Sequence, residues 1–205
     1  MAENVEYSFW LLPEGDAKTE LASIVQRLAD RNESPVFDAH LTLLAGIHCE
    51  SDEIIVDAAR EIASKSKNFE VRFQSLNTGK FWTQCVFVEI DEKNEDLKNA
   101  HNLSKEACLS RGTTIHLPNP VYYPHVSLMY RNLGDAEKQA ELEHLVGTAW
   151  CADFLKAGHK LNTFSVDKVV ALKLRSDLVR PDSTAQDIAD FVKSWTILGE
   201  FKFDT

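Results

Sequence analysis

Two short stretches of the chain, His40-Leu41-Thr42-Leu43 and His125-Val126-Ser127-Leu128, repeat one pattern of histidine, apolar residue, hydroxyl residue and leucine. None of the other histidines has Ser or Thr two positions later. On a β-strand, side chains two positions apart share a face, so each histidine would point to the same side as its hydroxyl partner. The apolar residues would point into a core. Two such strands side by side would bring two imidazoles and two hydroxyls into one cleft.

The rest of the chain alternates between strand and helix patterns. The sequence predicts strands at 5–12, 37–45, 69–76, 81–90, 121–130, 161–174 and 194–203. It predicts helices at 16–30, after the N-cap candidate Ser51, at 94–111 and at 135–147. Residues 77–80 should form a hairpin turn, and 175–190 should be a loop with a short helical turn. These elements predict an α+β fold, with helices packed on antiparallel or mixed sheets.

Composition excludes several classes of function. The net charge is −10, from 22 basic and 32 acidic residues, which disfavours long nucleic acid as a partner. No apolar stretch approaches the roughly 20 residues of a membrane helix. The acidic N-terminus does not resemble a secretory signal, so we expect a cytoplasmic protein, with the nucleus as an alternative. The four cysteines form no CxxC pair, which argues against a thiolate zinc site, and we expect reduced thiols, although one disulfide stays open.

The paired motifs suit the opening of a cyclic phosphate. That reaction needs a base for the attacking water and an acid for the departing oxygen, and histidine, with an ordinary pKa of about 6.5, can serve as either. The hydroxyls of Thr42 and Ser127 can donate to non-bridging phosphate oxygens. The arrangement requires neither a metal nor another cofactor.

The twin motifs resemble those of the 2H phosphoesterase superfamily, and the chain is similar to plant and fungal cyclic phosphodiesterases that act on ADP-ribose 1″,2″-cyclic phosphate. The resemblance covers most of the chain. Besides the motifs, it rests on three segments: Tyr7-Ser8-Phe9-Trp10-Leu11-Leu12-Pro13, the run from Thr78 to Phe87, and Met129-Tyr130.

The resemblance implies a bilobal fold with pseudo-twofold symmetry, formed as a single domain over residues 1–205, with a central cleft. It implies that His40, Thr42, His125 and Ser127 form the phosphate site. Three further residues would contact substrate: Trp10, Tyr130 and Thr83, the last at a position where relatives can carry an aromatic residue. By analogy with enzymes that leave the phosphate on the 2′ oxygen, His125 would be the base and His40 the acid, but the symmetry of the motifs fits either assignment.

Three functions are compatible with these observations. The favoured one is a cyclic phosphodiesterase that hydrolyses ADP-ribose 1″,2″-cyclic phosphate and nucleoside 2′,3′-cyclic phosphates. An RNA-processing 2′,3′-cyclic phosphodiesterase or 2′-5′ RNA ligase-like enzyme of the same superfamily is the alternative, and the acidic balance disfavours it. A non-catalytic binding module would be expected to lack a motif residue, and here both motifs are intact.

Overall fold

The computed structural model of the protein describes residues 5–117, 121–148, 151 and 162–204. Within these ranges the strands are β1 Val5–Leu11, β2 Leu41–His48, β3 Phe69–Asn77, β4 Val86–Ile90, β5 Thr114–Ile115, β6 His125–Met129, β7 Thr163–Val166, β8 Lys168–Arg175 and β9 Thr196–Lys202. The helices are α1 Gly15–Asn32, α2 Asp52–Lys65, α3 Glu95–Leu109, α4 Asp135–Val146 and α5 Ala185–Lys193. Single 3-10 turns lie at Trp82–Gln84 and Ser176–Leu178. The predicted α+β class is confirmed.

The strands form one sheet in the order β7-β3-β4-β6-β2-β1-β8-β9, with β5 beside β2. Every pairing between the described strands is antiparallel. Of the two predicted sheet types, antiparallel and mixed, these strands form the antiparallel one. The boundary between β6 and β2 separates two groups of four strands. Each group contains two neighbouring strands that are connected through a helix: β1 and β2 through α1, and β4 and β6 through α3 and the short β5. This repetition is the predicted pseudo-twofold arrangement, and the two motif strands lie at its centre.

The helices begin and pack as their sequence patterns predict. On α1, the residues at helical spacing are all buried: Leu21, Ile24, Val25 and Leu28. Asn94 caps α3, because its side chain accepts a hydrogen bond from the Leu97 amide at 3.0 Å. Ser51 stands at the N-cap position of α2 but makes no capping bond with its side chain. Burial of such apolar faces contributes about 1.5–3 kcal/mol for each large side chain and fixes the helices on the sheet.

Both motif strands are shorter at their N-terminal ends than predicted. The strand expected at 37–45 is β2, which begins at Leu41, and His40 immediately precedes it. The strand expected at 121–130 is β6, which begins directly after Pro124. Proline has no N–H to donate to a neighbouring strand, which explains why regular pairing begins only after it. Pro118 and Pro120, which precede this strand in the sequence, lie outside the described residues.

The predicted tight hairpin at 77–80 is wrong. β3 ends at Asn77 but β4 begins only at Val86, and the Gly79 amide donates to the Gln84 carbonyl at 2.7 Å across the intervening loop. The loop is wider than a two-residue turn because it contains a 3-10 turn. Residues 81–85, predicted as the first part of a strand at 81–90, therefore lie in this loop and not in β4.

The segment 175–190 was predicted as a loop, and this is wrong for its second part, which forms α5. Thr184 and Asp187 make a reciprocal capping box: the Thr184 hydroxyl accepts from the Asp187 amide at 3.2 Å, and the Asp187 carboxylate accepts from the Thr184 amide at 2.8 Å. Of the strand expected at 161–174, residue 161 lies outside the described residues, and the remainder is split into β7 and β8.

All four cysteines are free thiols, and three of them are buried: Cys85, Cys108 and Cys151. In the described ranges, no helix combines the length and the apolar character that crossing a bilayer requires.

Candidate active site

The central pairing of the sheet brings the two motifs together. Leu41 lies opposite Val126, and both side chains are buried in the main core. Because successive side chains of a strand alternate in direction, the residues that flank this pair point to the other face of the sheet. These are the four predicted catalytic residues, His40, Thr42, His125 and Ser127.

The register determines which residues face each other. Continuing the antiparallel pairing by one residue in each direction puts His40 across from Ser127 and Thr42 across from His125. Each imidazole therefore lies across from the hydroxyl of the other motif. In a regular antiparallel pair, directly opposed residues have Cβ atoms about 4.5–5.5 Å apart, a spacing that a tetrahedral anion can bridge.

These residues line a cleft of about 570 Å³. The structure places all seven predicted site residues at this cleft: Trp10, His40, Thr42, Thr83, His125, Ser127 and Tyr130. The other lining residues are mostly apolar or aromatic, and none of those that the structure describes is Lys or Arg. Glu6 supplies the one carboxylate of this described lining, and it accepts a hydrogen bond from the Gly46 amide at 3.0 Å.

Both histidines are oriented by the same backbone contact. Nδ1 of His40 lies 2.7 Å from the Asp38 carbonyl, and Nδ1 of His125 lies 2.9 Å from the Tyr123 carbonyl. A carbonyl only accepts hydrogen bonds, so Nδ1 carries the proton and the neutral ring keeps its lone pair on Nε2. In each motif the carbonyl belongs to the residue two positions before the histidine. The contact leaves both Nε2 atoms available for proton transfer.

His40 is enclosed by aromatic rings. Trp10 stacks on its face with ring centroids 3.5 Å apart, and Trp195 meets it edge-on at 5.5 Å. The Tyr130 hydroxyl lies 3.4 Å from its Nε2. Burial lowers the pKa of His40 to about 4, which outweighs the upward effect of the Asp38 carbonyl. The ring is therefore neutral in the ligand-free protein at neutral pH.

His125 lies in a more open environment. It is half-buried, whereas His40 is buried, and the edge of Phe87 meets it with ring centroids 5.2 Å apart. Burial also lowers the pKa of His125, and the hydrogen bond to the Tyr123 carbonyl opposes that shift. The two motifs are equivalent in sequence, but their imidazoles differ in exposure to solvent.

The two hydroxyl residues also differ in their contacts. Ser127 is buried, and its Oγ donates a hydrogen bond to the Thr83 carbonyl at 2.6 Å. Thr42 is half-buried in the cleft, and its backbone carbonyl accepts a hydrogen bond from the Tyr122 hydroxyl at 3.1 Å. Ser127 must therefore turn away from Thr83 before it can donate to a phosphate oxygen.

The three predicted substrate-binding residues lie at the cleft but contact the motif residues or their neighbours. One face of Trp10 is covered by His40. Tyr130 is buried and stacks on Phe37 with ring centroids 4.1 Å apart, so only its hydroxyl is directed towards His40. Thr83 supplies its backbone carbonyl to Ser127. These contacts support the motif residues and leave none of the three as an open stacking surface.

Sequence reasoning missed Trp195 and the pair formed by His101 and Tyr122. Trp195 follows α5 and reaches His40 only through the tertiary fold. His101 and Tyr122 stack with ring centroids 3.8 Å apart, and His101 Nδ1 bonds the Leu43 carbonyl at 2.7 Å. The capping pattern before α5 was a signal for the helix that positions Trp195. No local pattern indicates the stacked pair.

The chain is similar to known proteins in sequence and in fold. It matches the family of cyclic phosphodiesterase-like proteins over residues 5–203. It is 27% identical to the cyclic phosphodiesterase of Arabidopsis thaliana over an alignment of 143 residues. This alignment covers 65% of this chain and 69% of that protein. The fold is similar to that of Escherichia coli LigT complexed with 3′-AMP, with a TM-score of 0.59, 11% identity and 98% of each chain covered. It is also similar to TT0787 of Thermus thermophilus, with a TM-score of 0.57, 14% identity and 97% coverage of each.

The family match includes both histidine motifs and nearly all of the described strands. The structural neighbours, at their low identities, show that the fold is shared. The chain therefore belongs to the cyclic phosphodiesterase-like family of 2H phosphoesterases.

Proposed function

We propose that the protein, a cyclic phosphodiesterase of the 2H type, hydrolyses ADP-ribose 1″,2″-cyclic phosphate to ADP-ribose 1″-phosphate and nucleoside 2′,3′-cyclic phosphates to 2′-phosphates. One observation carries the reaction: two imidazoles from neighbouring strands line one cleft, each with Nδ1 bonded to a backbone carbonyl. The Arabidopsis relative is a cyclic phosphodiesterase, and LigT has been solved with 3′-AMP, which supports a small nucleotide substrate.

The reaction needs two proton transfers at one phosphorus atom. One imidazole removes a proton from water as the water oxygen bonds to phosphorus. The other, which has to be protonated at Nε2 when the substrate is bound, donates that proton to the ribose oxygen as the bond from that oxygen to phosphorus breaks. One water is consumed and the cyclic diester becomes a monoester. Thr42 and Ser127, facing the same cleft, can donate to the non-bridging oxygens as negative charge develops on them.

The two histidines differ in burial, and this bears on their roles. A base must be neutral before the reaction, and the enclosure of His40 by Trp10 and Trp195 favours the neutral ring. The electrostatics of the free protein thus favour His40 as the base and His125 as the acid, opposite to the assignment by analogy. The pH dependence of kcat/KM decides between them: we expect a bell-shaped profile, and each single His variant should lose the limb that its residue controls.

Phosphorus NMR of ADP-ribose 1″,2″-cyclic phosphate and adenosine 2′,3′-cyclic phosphate, with the protein and excess EDTA, tests the proposal. We expect conversion to the 1″-phosphate and the 2′-phosphate, and a loss of about 10²- to 10⁴-fold in His40→Ala and in His125→Ala. His144→Ala removes an exposed histidine on α4 and is the matched control that should keep full activity. Intact substrates would contradict the proposal, and opening only of a cyclic phosphate on an RNA end would identify the RNA-processing alternative.

A further inference from the structure

Exposed apolar side chains gather at the mouth of the catalytic cleft. Phe81, Val121 and Tyr123 are 52%, 69% and 40% exposed, and all three line the cleft. Phe81 comes from the loop between β3 and β4, and the other two precede β6. A group of exposed apolar residues at the mouth of a pocket marks a binding surface more often than a chance cluster does. We refer to these three residues as the apolar rim.

Tyr123 is held in place although it is exposed. Its hydroxyl donates to the Glu89 carboxylate, which also accepts hydrogen bonds from the Ser75 hydroxyl and, at 3.0 Å, from the Asn77 amide. The Phe87 ring meets the Tyr123 ring edge-on, with centroids 6.0 Å apart. An exposed tyrosine without such contacts would lose rotamer entropy on binding a ligand. This ring has already lost that freedom, so it can bind a flat ligand at a smaller entropic cost.

The surroundings of His40 leave less room for a ligand than those of His125. On the His40 side, Trp10 and Trp195 pack directly against the imidazole. On the His125 side, the Tyr123 ring centroid is 5.9 Å from the imidazole centroid, and the planes are inclined by 33°. A nucleobase is one ribose ring away from its 2′,3′-phosphate, which is a separation of this scale. The described cleft lining contains no Lys or Arg, so stacking has to supply affinity that cationic groups supply elsewhere.

We infer that the apolar rim is the nucleobase subsite, with Tyr123 as the platform on which the base stacks and Glu89 as the residue that positions it. The inference rests on the proposed function and narrows its substrate class. It favours nucleoside 2′,3′-cyclic phosphates, whose base lies next to the reacting phosphate. In ADP-ribose 1″,2″-cyclic phosphate, a diphosphate and a second ribose separate the adenine from the reacting ring.

Steady-state kinetics on three substrates test this inference: adenosine 2′,3′-cyclic phosphate, ADP-ribose 1″,2″-cyclic phosphate, and glycerol 1,2-cyclic phosphate, which has no base. In Tyr123→Ala, the preference for the adenosine substrate over the glycerol one, measured as the ratio of kcat/KM, should fall roughly 5- to 150-fold, the range for loss of one base–aromatic stack. Tyr123→Phe keeps the ring but loses the hydrogen bond to Glu89, so the preference should fall less than in Tyr123→Ala but should not stay at the wild-type value. Leu109→Ala, which removes a 57% exposed leucine that does not line the cleft, is the matched control and should change neither rate.

Binding of adenosine 2′-monophosphate and of inorganic phosphate, followed by NMR titration, gives a second measurement that does not depend on turnover. Tyr123→Ala should weaken binding of the nucleotide by a similar factor relative to that of phosphate. An unchanged substrate ratio together with unchanged relative binding would overturn the inference, as would an equal loss for every ligand, because Tyr123 would then act only through His125. If the wild-type protein opens no cyclic phosphate but its nucleotide binding still depends on Tyr123, the proposed function fails and the subsite stands.

Discussion

His40 and His125 occupy equivalent positions in repeated motifs and bond equivalent carbonyls, yet their surroundings separate them. Aromatic rings enclose His40, whereas His125 lies beside the open rim. Desolvation disfavours a charged imidazole, and it acts more strongly on the more deeply buried ring. Two residues with the same local sequence can therefore perform opposite halves of an acid–base reaction.

The burial of His40 predicts that stability depends on pH. Its pKa is about 4 in the folded protein and 6.5 ordinarily, so the unfolded chain binds more protons between these values. The stability that the protein has while His40 is neutral is fully present above about pH 6.5, and it is lost as the pH falls towards 4. Between pH 7.5 and 4, the free energy of unfolding should fall by about 3 kcal/mol more for the wild type than for His40→Gln.

Urea unfolding at several pH values between 4 and 7.5 measures this difference. His144→Gln changes an exposed histidine and should follow the wild-type curve. Parallel curves for the wild type and His40→Gln would show that His40 is not held neutral by the fold.

Between its pairing with β6 and its pairing with β5, β2 has a stretch without a strand partner on that side. β2 pairs with β6 at Leu41 and Val126, and further along β2 pairs with β5. Tyr122 and His101 supply the hydrogen bonds to the Thr42 and Leu43 carbonyls just past that pairing. Two stacked side chains thus supply hydrogen bonds to β2 carbonyls that a neighbouring strand would otherwise supply, and no strand covers β2 at the cleft.

Tyr122→Phe should therefore affect both stability and catalysis. The substitution keeps the stack on His101 but leaves the Thr42 carbonyl without its side-chain donor. We expect a loss of about 1–2 kcal/mol in the free energy of unfolding, and a several-fold loss of kcat/KM because Thr42 is no longer held. Denaturant unfolding and steady-state kinetics on the same preparation measure both effects.

Tyr7→Phe is a suitable control for this prediction. The Tyr7 hydroxyl bonds the Asp52 carboxylate at 2.7 Å, and Tyr7 does not line the cleft. Loss of this hydroxyl should lower the free energy of unfolding with little change in kcat/KM. If Tyr122→Phe behaved in the same way, the pair would only support the fold and would not position Thr42.

At the scale of the whole molecule, the charge distribution determines how an anion can be bound. The protein carries a net charge of −10, and the cleft lining, as far as the structure describes it, holds no Lys or Arg. His40 and His125 both have lowered pKa values and are neutral before binding at neutral pH. Within the described lining, a bound phosphate gains a positive partner when one of these imidazoles takes up a proton.

We expect binding of an anion to be coupled to uptake of about one proton. Sulfate is a suitable probe because its own charge is constant between about pH 5 and 9. Calorimetric titrations near pH 7, in buffers that differ in ionisation enthalpy, should show an apparent binding enthalpy that depends on the buffer. The affinity should fall by up to tenfold per pH unit as pH rises. Equal enthalpies in all buffers, with an affinity independent of pH, would contradict this prediction.

Several features of this protein could be read from local sequence. The apolar spacing of α1 is a local property, and it predicted that helix. The helix expected at 94–111 begins where predicted, directly after its N-cap Asn94. The alternation in the two motifs placed their apolar residues in the core and their polar residues on one face, which the register of Leu41 with Val126 bears out. The missed helix α5 also had a local signal, in the capping box of Thr184 and Asp187.

The sequence by itself thus determined the strands and helices with clear periodicity, the α+β class and the residues of the candidate site. Only the tertiary structure decided how these residues differ. The enclosure of His40 by Trp195, the support of β2 by His101 and Tyr122, and the open position of Tyr123 all join residues that are distant in the chain or differ in burial. Local patterns encode periodicity and capping, whereas desolvation and long-range hydrogen bonds exist only once the strands have been brought together.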